Sequence, residues 1–198
     1  MYKPDHPKEK QLLDTSKALF WKYGIKRVTI EEICREAGVS KMTFYKFYKN
    51  KNDLIKKVLE NLTGTGMEKY RKIMDSDLPY PEKIRESVKL KMEQTNDVSR
   101  EFFNDFYKTA DPDLTAFFNK MVQDYFQLFL NDFIEAQKKG FIRTSIKPEF
   151  ILYFLNHITE MAEDDKLIRM YDNLQDMILE LTNFFFYGIL PEGGREKQ

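Results

Sequence analysis

The segment Thr29–Lys51, TIEEICREAGVSKMTFYKFYKNK, predicts two short helices joined by a tight turn. Thr29 and Glu32 match a capping box, in which the threonine hydroxyl accepts the third helical N–H and the glutamate bonds back to the backbone. Gly38 follows the first helix at the position where a left-handed residue ends a helix without a Cβ penalty. Ser40 is a suitable N-cap for the second helix. The short turn fixes how the two helices cross, as in a helix-turn-helix.

The second helix of this segment has an apolar side and a polar side. Phe44, Phe47 and Tyr48 repeat at the i, i+3, i+4 spacing of a buried face. The remaining side chains suit a DNA major groove, because lysine and tyrosine bond phosphates or base acceptors while threonine and methionine contact base edges. The residues predicted to contact phosphates are Thr29, Ser40, Tyr45, Lys49 and Lys51, and those predicted to contact bases are Lys41, Met42, Thr43 and Lys46.

A wider set of residues around the helix-turn-helix follows one pattern. It comprises Ala18-Leu19-Phe20, Tyr23-Gly24, Thr29-Ile30, Ile33, Ala37-Gly38-Val39-Ser40, Phe44-Tyr45, Tyr48 and Asn50-Lys51 through Leu54. In these residues, roughly the first quarter of the chain, the protein resembles the TetR family of bacterial transcription regulators. Phe47 departs from the family, which commonly has a histidine there that reaches a phosphate. Lys46 and Lys49 are neighbouring charges that can replace this contact.

The resemblance implies an all-α protein of two domains. Residues 1–50 would form a three-helix DNA-binding domain with the helix-turn-helix, and residues 51–198 a larger helical domain for ligand binding and dimerisation. The first helix is expected over Lys8–Tyr23, and Trp21 lies one step off its apolar face. We therefore expect Trp21 to pack against the regulatory domain.

Charge is distributed unevenly along the chain. Residues 1–51 contain 12 lysines and arginines against 6 aspartates and glutamates, whereas the remainder contains 20 against 26. The basic part is the part with the helix-turn-helix, as expected if only that end meets nucleic acid. Overall the chain is 42% hydrophobic, 15% aromatic and 32% charged, which is typical of a folded protein.

The sequence also predicts where the protein resides. No stretch approaches the roughly 20 apolar residues that span a membrane. The N-terminus, MYKPDHPKEKQ, has no apolar run or cleavage site of a signal peptide. The single cysteine, Cys34, fits a reducing compartment. We expect a cytoplasmic bacterial protein without a membrane partner.

A long helix is predicted from Lys51 towards Met74, with Gly64 and Gly66 in its interior. Each glycine costs about 1 kcal/mol there, so a kink or break is expected. We interpret the segment as a hinge through which ligand binding changes the spacing of two recognition helices. Asp111-Pro112 is predicted to open another long helix, which ends at Gly140.

Aromatic residues are concentrated between Phe102 and Phe133. Most must fill a core, but this density also suits a pocket for an apolar or flat effector. The candidate effector-binding residues are Phe102, Phe106, Phe118, Met121, Tyr125 and Phe129.

The last two helices are expected to begin near Pro148 and Tyr171, each with an apolar stripe wider than one partner needs. The resemblance implies that they pair with their copies into a four-helix dimer interface. The candidate interface residues are Ile151, Phe154, Leu155, Ile158, Leu174, Ile178, Leu181 and Phe185.

An enzyme would need a catalytic constellation, and the sequence has no HExxH motif, nucleophile elbow or paired-cysteine metal site. His157, Glu160 and Asp164 share a helix face, although a surface histidine beside solvated acids is the favoured interpretation. We predict no catalysis, no cofactor and no metal.

The predicted function is a ligand-released repressor that binds a palindromic operator in double-stranded DNA as a homodimer. The alternative is a helical carrier of an apolar ligand, which leaves the basic helix-turn-helix without a purpose.

Overall fold

The computed structural model describes residues 6–162 and 164–191, and all regular secondary structure in these ranges is helical. The all-α prediction is confirmed. The helices are α1 (Pro7–Tyr23), α2 (Ile30–Glu36), α3 (Lys41–Phe47), α4 (Lys51–Met74), α5 (Tyr80–Thr95), α6 (Arg100–Tyr107), α7 (Pro112–Lys138), α8 (Pro148–Ala162), α9 (Asp165–Ile168) and α10 (Leu174–Ile189). Within the described ranges, no helix is both long and apolar enough to cross a membrane.

Packing divides the chain into two compact units. The first contains the chain up to Lys69 together with Asp97–Phe118, and the second contains Tyr70–Asn96 together with the chain from Asn119 onward. Helix α6 and the start of α7 therefore pack with the helix-turn-helix. The functional boundary after residue 50 stays a prediction, because packing alone does not define which residues bind DNA.

Local hydrogen bonds begin the helices of the first unit. The Thr29 hydroxyl accepts the backbone N–H of Glu32 at 3.1 Å, and the Ser40 hydroxyl accepts that of Thr43 at 3.1 Å. Gly38 has a positive φ of 63°. The predicted caps are thus present, and they satisfy N–H groups that would otherwise lack a helical partner.

The core of the first unit is formed by apolar side chains from α1 to α4. The fully buried members include Leu12, Phe20, Val28, Ile33, Phe44 and Leu54. Burial of these large side chains on one face of each short helix stabilises helices that would be marginal in isolation.

Helix α4 continues without interruption through Gly64 and Gly66, so the predicted break is wrong. Two glycines cost about 2 kcal/mol together, which the rest of a 24-residue helix can offset. Val58 before them and Tyr70 after them are buried, so packing holds the helix on both sides. The hinge stays a prediction.

Helix α7 begins where the sequence predicts. The Asp111 carboxylate accepts the backbone N–H of Asp113 at 3.0 Å and of Leu114 at 3.1 Å. The bond from Leu114, followed by one from Asn52, lowers the pKa of Asp111 below its ordinary value. Gly140 follows the helix with a positive φ of 76°.

The second unit has its own apolar core, built from α5, α7, α8 and α10. Its buried residues include Ile84, Phe133, Ile142, Ile151, Phe185 and Ile189. Two details differ from expectation. Helix α9 was not predicted, and α10 begins at Leu174, capped by Asn173, rather than near Tyr171.

Candidate nucleic-acid interface

Helix α3 presents one face to solvent. Met42 is 74% exposed and Tyr45 is 56% exposed, and Lys46 is also exposed, whereas Phe44 and Tyr48 are buried. The separation follows from the helical period, because Phe44 and Tyr48 are four residues apart and share the inner face. The predicted division of α3 into an inner and an outer face is confirmed.

Phe47 is half-buried, and its ring centroid lies 5.3 Å from that of His6. His6 is the N-cap of α1, and its Nδ1 accepts the backbone N–H of Lys8 at 3.1 Å. Phe47 thus joins α3 to the start of α1 through an aromatic contact.

Lys41 at the start of α3 forms an ion pair with Glu31 in the first turn of α2. Both side chains are more than half exposed. The hydrogen bond between them raises the pKa of Lys41 and lowers that of Glu31. To contact a base, Lys41 must exchange this carboxylate for a DNA acceptor. Glu31 is not among the predicted site residues, and its only sign in the sequence is an acidic residue in the turn after Thr29.

The hydroxyls of Thr29 and Ser40 are engaged as helix caps. The Ser40 hydroxyl also lies 3.0 Å from that of Thr43. A hydroxyl that accepts an N–H still has a proton to donate, so Thr29 can bond a phosphate oxygen without leaving its capping position.

Lys49 and Lys51 differ in environment. Lys49 is exposed, while Lys51 is half-buried and its Nζ donates to the backbone carbonyl of Lys26 at 3.3 Å. Burial lowers the pKa of Lys51. Lys51 also lies in the first turn of α4, where its charge opposes the helix dipole. A phosphate beside Lys51 would offset both the cost of burying the ammonium group and its unfavourable interaction with the helix dipole.

Helix α6 packs on the end of α1. The ring centroids of Trp21 and Phe102 are 4.5 Å apart, and the backbone N–H of Ser99 donates to the carbonyl of Trp21 at 3.0 Å. Phe102 lies in the same compact unit as Trp21, so the expected contact of Trp21 with a regulatory domain stays a prediction.

The loop between α1 and α2 is also joined to α6. Asp105 accepts the backbone N–H of Lys26 at 2.8 Å, and its other oxygen lies 3.3 Å from Lys26 Nζ. Gly24 approaches α6 so closely that a Cβ would lie 2.8 Å from Asp105 Oδ2. Lys26 therefore contacts Asp105 through its N–H and Lys51 through its carbonyl. The contact with Asp105 spans 79 residues of sequence and that with Lys51 spans 25, so no local pattern reveals them.

The six predicted effector residues divide between the two units. In the first unit, Phe102, Phe106 and Phe118 stack in succession, with centroid distances of 6.3 Å and 4.5 Å. Phe102 and Phe118 are buried, so they contribute to the core of that unit. Met121, Tyr125 and Phe129 lie in the second unit. Their role with an effector stays a prediction.

The candidate dimer residues are not equally accessible. Ile151, Leu155, Leu174 and Phe185 are buried within the chain itself, and Phe154, Ile158, Ile178 and Leu181 are half-buried. The exposed aromatic residues of α8 and α10 are instead Phe150, Tyr153, Phe184 and Tyr187. The apolar stripes were found from the sequence, but the side of each stripe that faces outward was not.

Within the described ranges, no group of three or more His, Cys, Asp or Glu side chains could hold a metal ion. The Nε2 of His157 lies 3.7 Å from Glu160 Oε2, as a surface pair on α8.

Among curated proteins, the chain is similar to the HTH-type transcriptional regulator YerO of Bacillus subtilis (strain 168). The two are 33% identical over 93 residues, which is 46% of this chain. The chain spans about a third of the length of that relative, since the match covers 32% of it.

Solved structures share the fold over almost the whole chain. The fatty acid degradation regulator FadR from Bacillus halodurans has a TM-score of 0.71 at 19% identity, and the match covers 94% of this chain and 98% of that one. FadR from Bacillus subtilis in complex with stearoyl-CoA has a TM-score of 0.65 at 16% identity, with coverages of 91% and 98%. At these identities the likeness shows the fold.

The family model described as bacterial regulatory proteins, tetR family, matches residues 12–58. This range contains α2, α3 and most of α1, as well as the start of α4. The match and the similarity to YerO show that the N-terminal part of the chain is similar to bacterial regulatory proteins of the tetR family.

Proposed function

We propose that this protein is a ligand-responsive transcription regulator that binds a palindromic DNA operator as a homodimer and acts as a repressor. The observation that carries the proposal is the outer face of α3. It presents Met42, Tyr45 and Lys46 to solvent on a helix held by a buried inner face. Such a helix can enter a major groove as a rigid element.

The basic region around α3 supports this assignment. Lys41, Lys46 and Lys49 are exposed on or beside the helix, and residues 1–51 carry twice as many basic as acidic residues. We assign Thr29, Ser40, Tyr45, Lys49 and Lys51 to phosphates, where they would position the protein. Lys41, Met42, Thr43 and Lys46 are assigned to base edges, where they would select the sequence.

Dimerisation would supply the second recognition helix. Phe184 is 73% exposed on α10, and Phe150 and Tyr153 are exposed on α8. Large exposed aromatic residues on adjacent helices favour an interface, because their burial removes apolar surface from water. A two-fold pair of recognition helices would bind half-sites about 34 Å apart.

An effector would release the operator only if it binds the non-binding dimer more tightly than the DNA-bound one. The aromatic residues of α6 and α7 favour an apolar or aromatic effector. A relative of similar fold is described in complex with stearoyl-CoA, which has an apolar chain.

The test is selection of random duplex DNA on the purified protein at moderate salt, followed by a salt titration on the enriched sequence. We expect a palindrome whose binding constant falls steeply with salt, because each phosphate contact releases counterions. Absence of enrichment, before and after refolding to remove any bound ligand, would favour the carrier alternative.

A further inference from the structure

The two oxygens of the Asp132 carboxylate differ in their hydrogen bonds. Oδ1 accepts from Arg71 Nη1 at 2.6 Å. Oδ2 is buried and has no hydrogen-bond partner among the described residues. A buried polar oxygen without a partner carries an unrecovered desolvation cost, so a donor placed there would be bound favourably.

Aromatic side chains gather around this carboxylate within the second unit. Tyr125, Phe129 and Asp132 fall on one face of α7 by their i, i+4, i+7 spacing. The ring of Tyr70 at the end of α4 lies 6.1 Å from that of Phe129. Tyr70 and Tyr80 are both buried.

The electrostatic environment links these groups. Burial and then the charge of Asp132 raise the pKa of both Tyr70 and Tyr80; at Tyr70 the proximity of Tyr80 and Tyr125 and the approach of its phenol to the Asp132 carboxylate add to the effect. The phenols therefore stay neutral, and Asp132 is the negative group that they share.

Two carboxylates, those of Asp132 and Asp75, act on the guanidinium of Arg71. Arg71 is the cation, and its pKa is raised first by its hydrogen bond with Asp132 and also by the charge of Asp75. One guanidinium thus faces two carboxylates. A positive ligand is favoured over a negative one, and the faces of tyrosine rings attract a cation as well.

We propose that Asp132 binds the ammonium group of an organic cation, with Tyr70, Tyr80 and Tyr125 around it. The ammonium would donate to Asp132 Oδ2, while the apolar body of the ligand would lie along Phe129. Tyr125 and Arg71 are the partly exposed members of the cluster, so the ligand would enter beside them. The proposal rests on the proposed function, because it names the chemical class of the effector.

The experiment compares three probes with one apolar body and different head groups: 4-phenylbutylamine, 4-phenylbutanol and 4-phenylbutyrate. Each is titrated calorimetrically into the whole 198-residue chain at pH 7, where the amine is protonated as lysine is. We expect the amine to bind about tenfold more tightly than the alcohol, because a charge-assisted hydrogen bond is stronger than a neutral one. The carboxylate should bind most weakly.

Asp132→Asn keeps the side-chain size but removes the charge, so it should cost about tenfold in amine affinity and leave alcohol affinity nearly unchanged. Asp124→Asn is the matched control, since Asp124 lies on the same helix, is exposed and pairs with Lys120 at 2.8 Å. It should alter neither affinity. Circular dichroism establishes that each variant is folded.

If Asp132→Asn does not fold, the amine affinity of Tyr125→Leu tests the site instead, because this variant removes a partly exposed ring from the cluster. Loss of amine affinity with unchanged alcohol affinity supports the site. The proposal is overturned if 4-phenylbutyrate binds as tightly as 4-phenylbutylamine, or if no probe binds at millimolar concentration. It is also overturned if the folded Asp132→Asn variant keeps its amine affinity. Where Asp132→Asn does not fold, unchanged amine affinity of Tyr125→Leu has the same meaning.

These titrations contain no DNA, so they separate this proposal from the proposed function. Amine binding without operator selection would refute the regulator and retain the site. Operator selection without amine binding would support the regulator and refute the amine site at Asp132.

Discussion

Replacing Gly24 by alanine tests how tightly helix α6 holds the end of α1. Gly24 has φ 84° and ψ 162°, a conformation that side chains other than glycine's rarely adopt. An added Cβ would lie 2.8 Å from Asp105 Oδ2, 2.9 Å from Glu101 Cβ and 3.2 Å from the Glu101 carbonyl carbon. The side chain of Asp105 can move, but the backbone of Glu101 cannot move without shifting α6.

An alanine at position 24 would reduce the free energy of unfolding in two ways. The backbone conformation costs an alanine about 1–3 kcal/mol, and overpacking against α6 adds about 1–3 kcal/mol. We therefore expect Gly24→Ala to lower the free energy of unfolding by about 2–6 kcal/mol. Gly38→Ala is the matched control, because Gly38 also has a positive φ, of 63°, but a Cβ added there would meet no described heavy atom within 4 Å. It should cost only the backbone part, about 1–2 kcal/mol.

Urea denaturation followed by tryptophan fluorescence measures the difference. Trp21 is the single tryptophan and packs on Phe102, so its emission reports on the first unit. With a urea dependence of about 2 kcal/mol per molar, a difference of about 2 kcal/mol between the variants separates their midpoints by about 1 M. The entropy that alanine removes from the unfolded chain is similar at both sites and cancels in the comparison.

Gly24→Ala should cost less in an Asp105→Ala background than in the unmodified chain, since the carboxylate contact is absent there while the contacts with Glu101 remain. Equal midpoints for Gly24→Ala and Gly38→Ala would refute the close approach of α6 to the end of α1.

Three further predictions concern the DNA-binding region and the start of α7. Glu31→Gln should release Lys41 for the base edges and strengthen binding to the operator more than binding to random DNA, whereas Glu36→Gln should not; an unchanged ratio of operator affinity to random-DNA affinity in Glu31→Gln would contradict the role of the pair. In binding assays, Lys51→Ala should weaken binding to the operator and to random duplex DNA by the same factor. Lys41→Ala should weaken operator binding more than random binding, because it also relaxes base preference. The assignment of Lys51 to phosphate and Lys41 to bases fails if each variant weakens binding to the two duplexes equally. The lowered pKa of Asp111 means that its stabilisation is present above the unfolded-state value of about 3.9 and is lost as pH falls through the folded-state value. Asp111→Asn should flatten that acidic part of the stability curve in pH-dependent denaturation, and an unchanged curve would exclude this contribution.

The helix-turn-helix was predictable because its determinants are local. The caps at Thr29 and Ser40 act over three residues, and Gly38 ends α2 by its own backbone conformation. The inner face of α3 follows from helical periodicity alone. Such features depend on residues that are close in sequence whatever the rest of the chain does.

Other expectations failed or stayed open because they depend on competition between distant segments. The two glycines of α4 were expected to interrupt the helix, but packing on both sides of them outweighs their intrinsic cost. The apolar stripes of α8 and α10 were found, yet periodicity does not say which part of a wide stripe faces the chain's own core. Ile151 and Phe185 face that core, whereas Phe184 faces outward.

The sequence by itself determined the all-helical class, the helix caps, the basic N-terminal region and the amphipathic form of α3. Only the tertiary structure decided that Glu31 pairs with Lys41, that Asp105 joins α6 to the loop before α2, and that Asp132 keeps one oxygen without a partner. The physical reason is the range of the interactions. Caps and helical periodicity act within a few residues, whereas ion pairs between helices and the burial of a carboxylate exist only after distant helices have packed together.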